Sequence, residues 1–468
     1  MYTTFGGRKG VGLKKHYILP FIVAVGVLLP GATPAQQSYL FQQTSINASP
    51  NPVGSGARAM GMGGAFIAIA DDATAASWNP GGLMQLERPE FSFVFTFQHR
   101  RMELDFDFQR GMDGTMEIYR EDLNYFSIAY PFMAFNKNMI VSLNYQRLYD
   151  FYTELEYDEE INSLSSSGIF THAKLHDKFR QTGALKAFAP AYAIQITPQF
   201  SLGATFNFWT DELGYDNEWE SERVTTGAVS AHVNPTTILK QTARIVTRET
   251  NKHFRGFNMN FGFLWHVNRV VTIGGVVKTP FTGEVTRKTR IASSVAYDRM
   301  SPIPQVPYRH RENVEMHFPM SYGLGVAFRL SDALTVACDV YRTNWSDYWV
   351  RSQGRKTSPI TGGRRSDARI HDTTQVRIGG EYLWVLEKTI IPLRMGVFYD
   401  PEPSTKHNDD FYGISLGTGI SIGPAVLDCA YIYRFGRDVR GDILARGQGK
   451  PTFDVDEHSL YVSMIYHF

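Results

Sequence analysis

The side chains that could do chemistry are scattered along this chain and do not converge. His172 and His176 stand four residues apart, a spacing that holds a metal when it falls on a helix. Here it falls in a long polar stretch, and both read as solvated loop histidines. Asp158-Glu159-Glu160 and Asp409-Asp410 read as solvated loop acids, with divalent-cation binding a minor option. Ser, His and Asp abound, yet they read as no catalytic constellation and no zinc motif. The glycine-rich run Gly54-Ser55-Gly56-Ala57-Arg58-Ala59-Met60-Gly61-Met62-Gly63-Gly64 is followed by no Gly-Lys-Ser/Thr, so it does not read as a nucleotide loop. Cys338 and Cys429 lie far apart in strand-like stretches and read as two lone apolar thiols. These residues call for no enzyme, no metal and no cofactor.

The elements that carry them follow from the rest of the chain. It has 468 residues, a net charge of +1 and 20% charged residues, a balance that speaks against a nucleic-acid partner. Arg8, Lys9, Lys14 and Lys15 precede an apolar run from Ile18 to Leu29, and Thr33-Pro34-Ala35 follows. That order reads as a cleavable export signal over residues 1–35. Beyond it no apolar run reaches the ~18–20 residues of a membrane helix. Aromatics nevertheless make up 13%, with 32 Phe and 24 Tyr.

From residue 90 onward apolar residues alternate with polar or small ones. Phe91, Phe93, Phe95 and Phe97 take turns with Ser92, Val94, Thr96 and Gln98; Phe257 to Trp265 and Tyr322 to Phe328 do the same. About fourteen such strands are expected, joined alternately by tight turns and long polar links. Asn136-Lys137, Pro198-Gln199 and Asn268-Arg269 are tight; 150–183, 213–253, 284–313 and 348–372 are long. One membrane face with turns and one with loops produces this pattern. The expected fold class is all-β: a transmembrane antiparallel barrel over residues 90–468, ending on Phe468. An Arg facing lipid at mid-membrane costs ~2–4 kcal/mol. Arg329, Asp339, Arg377, Glu381, Arg394, Asp428 and Arg434 are therefore expected to point inward, as internal salt bridges. Trp265, Trp345, Trp349 and Trp384 are expected in interfacial girdles, with Trp209 an inward exception. The 348–372 link carries Arg351, Arg355, Lys356, Arg364, Arg365 and Arg369, read as adhesion to lipopolysaccharide phosphates before capture of anionic amphiphiles.

Residues 36–89 do not alternate. Small residues lead through Ala70-Asp71-Asp72-Ala73-Thr74-Ala75 to Trp78-Asn79-Pro80-Gly81-Gly82-Leu83, short packed segments suited to a confined space. Asp71 or Asp72 is expected to cap a short Ala-rich helix that Asn79-Pro80 stops. With this motif, the strand pattern and Phe468, the mature chain resembles the FadL/TodX family of outer-membrane transport proteins. The resemblance implies that residues 36–89 form a hatch plugging the lumen, with Trp78, Asn79, Pro80 and Gly81 at its gate. The family motif usually reads Asn-Pro-Ala, and Gly81 stands where the Ala would be. The resemblance further implies a monomer in the bacterial outer membrane, in contact with its lipids and lipopolysaccharide. The implied role is uptake of long-chain fatty acids or aromatic hydrocarbons, without catalysis. The alternative is a PorV-like barrel that docks components of a secretion system, since similar openings occur there.

Overall fold

The computed structural model describes residues 54–105, 114–164, 170–234, 237–297, 303–304, 306–360, 363–387, 389–405, 407–440 and 452–468. The expected export signal and residues 36–53 lie outside the described residues. In chain order the first half of the sheet holds β1 (Glu90–Asp105), β2 (Gly114–Ala134), β3 (Lys137–Asp150), β4 (Thr153–Leu164), β5 (Phe170–Phe188), β6 (Ala191–Thr197), β7 (Phe200–Trp209), β8 (Glu218–Asn234), β9 (Thr237–His266), β10 (Val271–Lys278) and β11 (Phe281–Tyr297). The second half holds β12 (Ile303–Pro304), β13 (Tyr308–Phe318), β14 (Ser321–Arg329), β15 (Leu334–Thr343), β16 (Trp349–Ser352), β17 (Arg355–Thr357), β18 (Thr373–Val385), β19 (Ile390–Tyr399), β20 (Phe411–Ile422), β21 (Ala425–Arg440) and β22 (Thr452–His467).

The sheet closes on itself. β1 pairs with β2 from Glu90↔Ala129 to Leu104↔Gly114, and with β22 from Glu90↔His467 to Asp105↔Thr452. The first strand is therefore bonded on both sides, and the ring has no free edge there. Closure of this kind lets every backbone N–H and C=O in the membrane find a partner. Exposure alternates as the pleat requires. Phe95 and Phe97 face out, while Ser92, Val94 and Thr96 are buried; Leu324 and Phe328 face out, while Ala327 is buried. Cys338 and Cys429 are free thiols.

The count of about fourteen strands is corrected: the described residues hold 22 strands in one antiparallel sheet. Two physical causes separate the numbers. Breaks at Ala189-Pro190, Thr279-Pro280 and Pro319-Met320 divide walls that alternate without interruption in the sequence, because proline brings no ladder donor. The second cause is that the links read as long polar loops are in large part paired strand. β4, β8, β12, β16 and β17 lie wholly within them. His172 and His176 accordingly sit on β5, not in a loop. His176 Nε2 lies 3.2 Å from Glu156 and its Nδ1 2.8 Å from Asp158, and His172 lies 3.4 Å from Glu160. Asp409 is buried rather than solvated, and Asp410 accepts a bond from the Tyr399 hydroxyl.

The short-turn end follows local chemistry closely. Phe135 and Asn136 both take positive φ (53° and 55°), the mirror-image turn that suits the strand twist, one residue earlier than the spacing suggested. The tryptophans divide. Trp265 and Trp384 are exposed near their turns, whereas Trp345 and Trp349 are buried, so these two are not girdle residues. Each finds ring partners instead: Trp345 packs on Tyr348, and Trp349 stacks on His317.

Candidate functional site

Residues 54–86 pack against strands from all round the circuit, from β3, β6, β7 and β9 to β19, β20, β21 and β22. The segment holds α1 (Ala57–Gly61), α2 (Ala75–Trp78) and a 3-10 turn over Pro80–Gln85, and its apolar residues form one buried cluster with Ala129, Ile140, Ala191, Ala193, Ala327 and Ala337 of the wall. Helices this short are not stable alone. Side chains of the wall satisfy their backbone. Asp339 accepts from the amides of Phe66 (2.7 Å) and Ile67 (2.8 Å), and the Tyr125, Thr205, Ser201 and Ser415 hydroxyls donate to carbonyls of Ala73, Ala76, Gly81 and Gly61.

The Trp78-Asn79-Pro80-Gly81 motif is the tightest part of this fit. Trp78 Nε1 donates to the Ser55 carbonyl at 2.6 Å and its ring meets Phe66 edge-on at 5.9 Å. Asn79 is fully buried; its amide donates to the carbonyls of Ile67 and Phe263, both at 2.8 Å, and its oxygen accepts from the Gly81 amide at 3.1 Å. One side chain thus folds the segment on itself and fastens it to β9. A Cβ on Gly81 would stand 2.8 Å from the Phe263 Cα, so this chain has no room for the alanine usual in the resembling motif. The wall answers in kind: a Cβ at Gly203, Gly262, Gly379 or Gly396 would run into the segment's backbone or Asn79.

The expected cap is placed differently. Thr74 is the N-cap of α2 and makes no side-chain cap bond; the Asp72 carboxylate accepts from the Thr74 amide instead, at 2.8 Å. Burial pushes the Asp72 carboxyl up to about 6, against the opposing pull of Arg58 and Thr74. Asp71 pairs with Arg58 at 2.5 Å.

Arg58 continues into the wall. It bonds Glu381 through Nε (3.0 Å) and Nη2 (2.9 Å), Glu381 bonds Arg394 at 2.6 Å, and Arg394 bonds Asp428 at 2.6 Å. Nearby, Arg377 donates to the Gly63 carbonyl at 2.8 Å, and Arg434 lies 3.4 Å from Asp400 and 2.9 Å from Glu402. Asp339, Arg377, Glu381, Asp428 and Arg434 are all nearly buried. Arg329 is not among them: its side chain is 63% exposed and pairs with the solvent-facing Asp332 at a turn. Its inward parity is right, but the strand ends before it can reach the interior. Arg58 and Asp71 carried no signal as partners, because Glu381 is 323 residues from Arg58. Replacing Arg58 by alanine leaves Glu381 paired with Arg394 alone and removes the bond to Asp71, a cost on the order of 1.5–3 kcal/mol. The backbone amides of Phe66 and Ile67 are expected to exchange with solvent about a hundredfold faster in that variant. Unchanged exchange would show that the network does not hold the segment.

Beside the segment, towards the long-link end, aromatic rings fill one side of the interior. Trp209 stacks on Phe281 (5.4 Å, 6°), Phe281 on Phe318 (4.8 Å, 9°), and Tyr149 lies 4.7 Å from Phe318. Trp209 Nε1 donates to Asn258 at 2.9 Å. A cavity of about 30 Å³ is lined by Tyr149, Trp209 and Phe281 of this group, with Leu148, Asn260 and Trp345. A second cavity of about 110 Å³ has a mixed lining, with Leu148, Phe398 and Ile432 beside Arg120, Arg147, Arg434 and Glu457. Leu148 lines both.

A closed antiparallel ring with an apolar outer face defines a membrane β-barrel of the outer-membrane type. The chain belongs to the outer membrane protein transport protein family (OMPP1/FadL/TodX), whose model matches residues 46–466. The fold is shared with the crystal structure of a Pseudomonas aeruginosa FadL homologue: 14% identity, TM-score 0.56, covering 89% of this chain and 98% of that one. It is shared likewise with the Pseudomonas putida toluene transporter TodX: 13% identity, TM-score 0.52, covering 89% and 98%. No curated protein matches the chain. The protein is an outer-membrane β-barrel.

Proposed function

We propose that this barrel takes up hydrophobic small molecules across the outer membrane, with long-chain fatty acids or aromatic hydrocarbons as substrates. In this reading residues 36–89 are its hatch, gated at Trp78, Asn79, Pro80 and Gly81. The observation that supports the reading is the packing of residues 54–86 against strands from all round the ring, together with a stacked aromatic cluster of Trp209, Phe281 and Phe318. An open aqueous pore would not serve a molecule that partitions poorly into water. An aromatic site on a closed interior takes it from dilute solution by burying apolar surface. The long-link end then faces outward, as in barrels of this type. Asp339, Arg377, Glu381, Asp428 and Arg434 act as the fittings that seat the hatch. Membership of a transport family supports a non-enzymatic role and favours transport over the docking alternative.

Cells expressing the protein should take up radiolabelled toluene or a long-chain fatty acid faster than cells lacking it. Equal uptake across both substrate types would remove the reading. A protein partner recovered in stoichiometric amount, with no bound lipid, would favour docking.

A further inference from the structure

The links that rise from the wall leave one strongly charged feature that transport does not use. Between the end of β15 and the start of β18 the chain forms the β16–β17 hairpin, whose second strand is flanked on its other side by Arg364 and Arg365. Thr357 bridges Arg364, and the Arg365 amide donates to the Lys356 carbonyl at 3.2 Å. This pairing sets Arg355 and Lys356 against Arg364 and Arg365. The four line a recess of about 610 Å³ with Thr357 and Ser366. Like charges brought together across a strand pair repel. The neighbourhood relieves this only in part: Arg365 pairs with Asp347 at 2.8 Å, and Lys356 Nζ sits 4.0 Å over the Trp349 ring. Among the described residues no carboxylate forms an ion pair with Arg355, Lys356 or Arg364. In a chain whose net charge is only +1, this concentration is local.

Its position gives the occupant. The lipid-facing side of β15 and β18 carries Val340, Val376 and Ile378, all exposed. That apolar face ends at Arg342, which pairs with Asp372 at 2.9 Å. The recess lies in the link that joins these two strands, on a hairpin paired with Glu315–His317, four to six residues along the wall beyond the Ser321↔Thr343 pair. A cationic recess at the edge of an apolar belt meets the headgroup layer of the bilayer. Arginine and lysine hold phosphate oxygens by charge-assisted hydrogen bonds, and clustered cations suit a ligand with more than one negative charge. We propose that Arg355, Lys356, Arg364 and Arg365 form a binding site for the phosphate groups of an outer-leaflet lipid. The site is independent of uptake, so its failure would leave the transport reading untouched.

The test uses the full mature chain in detergent micelles and titrates diphosphoryl lipid A, the same lipid stripped of both phosphates, and inorganic phosphate. The wild type should bind the diphosphoryl form at least about tenfold more tightly than the stripped form, a preference that falls as salt rises. The triple variant Arg355→Gln, Lys356→Gln, Arg364→Gln should lose that preference while keeping heat-modifiable mobility on gels. Equal wild-type affinity for the two lipids would overturn the proposal, and that measurement needs no variant. A preference retained by a folded variant would overturn it too. Complete displacement of lipid by millimolar inorganic phosphate would show a free-anion site and reject the lipid.

Discussion

A protein lacking the mature residues up to Leu86 is expected to assemble as a folded barrel with much larger ion conductance. The strands need no help from the segment to satisfy their backbone, since β1 pairs fully with β2 and β22. The truncation spares the contact that finishes the ring, in which the Phe468 amide donates to the Pro89 carbonyl at 2.9 Å. The inner wall is shaped around the segment. Gly203, Gly262, Gly379 and Gly396 each lack room for a Cβ while it is seated, so its removal leaves a cavity rather than a collapsed core. Glu381, Arg394 and Asp428 still pair with one another, and Asp339 gains water in place of the Phe66 and Ile67 amides. A wide ring with a polar interior holds water once emptied. Planar-bilayer recording should show conductance raised by roughly an order of magnitude or more over the intact protein. Unchanged conductance from a heat-resistant, folded barrel would mean that the segment does not close the path, and the hatch would fall with it.

The wall was legible wherever one face meets lipid and the other a packed interior. In β1 and β14 that contrast forces strict alternation, and both ends of β18 and β19 fall within a residue of the pattern. Above the membrane the contrast vanishes. On β4 and β5, Glu156, Asp158, His176 and Lys178 pair across strands in water, so no apolar face announces the sheet. Pro280 and Pro319 mislead in the opposite direction. They fall opposite each other in the register, between Lys278↔Ser321 and Phe281↔Phe318, and split two strands without ending either wall. The inward charges were legible from parity alone, but not their partners. The Arg58–Glu381 contact exists only because the segment packs back against the wall, which no local pattern encodes. Arg329 shows the limit of parity, being inward in phase yet placed at a strand end.

Replacing Trp209 or Phe318 by alanine is expected to lower the initial uptake of a hydrophobic substrate, measured below saturation, by about tenfold each. The rings are buried against one another, and the adjoining cavity of about 30 Å³ is too small for a toluene-sized molecule. A substrate must therefore part the stack and take up the ring faces that Trp209, Phe281 and Phe318 now offer each other. Loss of one large aromatic removes ~1.5–3 kcal/mol of burial from the capture step, and a factor of ten corresponds to ~1.4 kcal/mol. An opposing effect exists, because the truncation also enlarges the cavity and could ease passage. At low substrate concentration capture limits the flux, so the loss should win, and at saturation the two effects should approach balance. Both residues touch Phe281, so the double variant should cost less than the two single losses combined. Trp265→Ala is the control: that ring is 45% exposed on the outer face, and its loss should leave uptake unchanged. Wild-type uptake by both interior variants would place capture elsewhere in the lumen, while an equal loss in the Trp265 variant would trace the effect to assembly of the barrel.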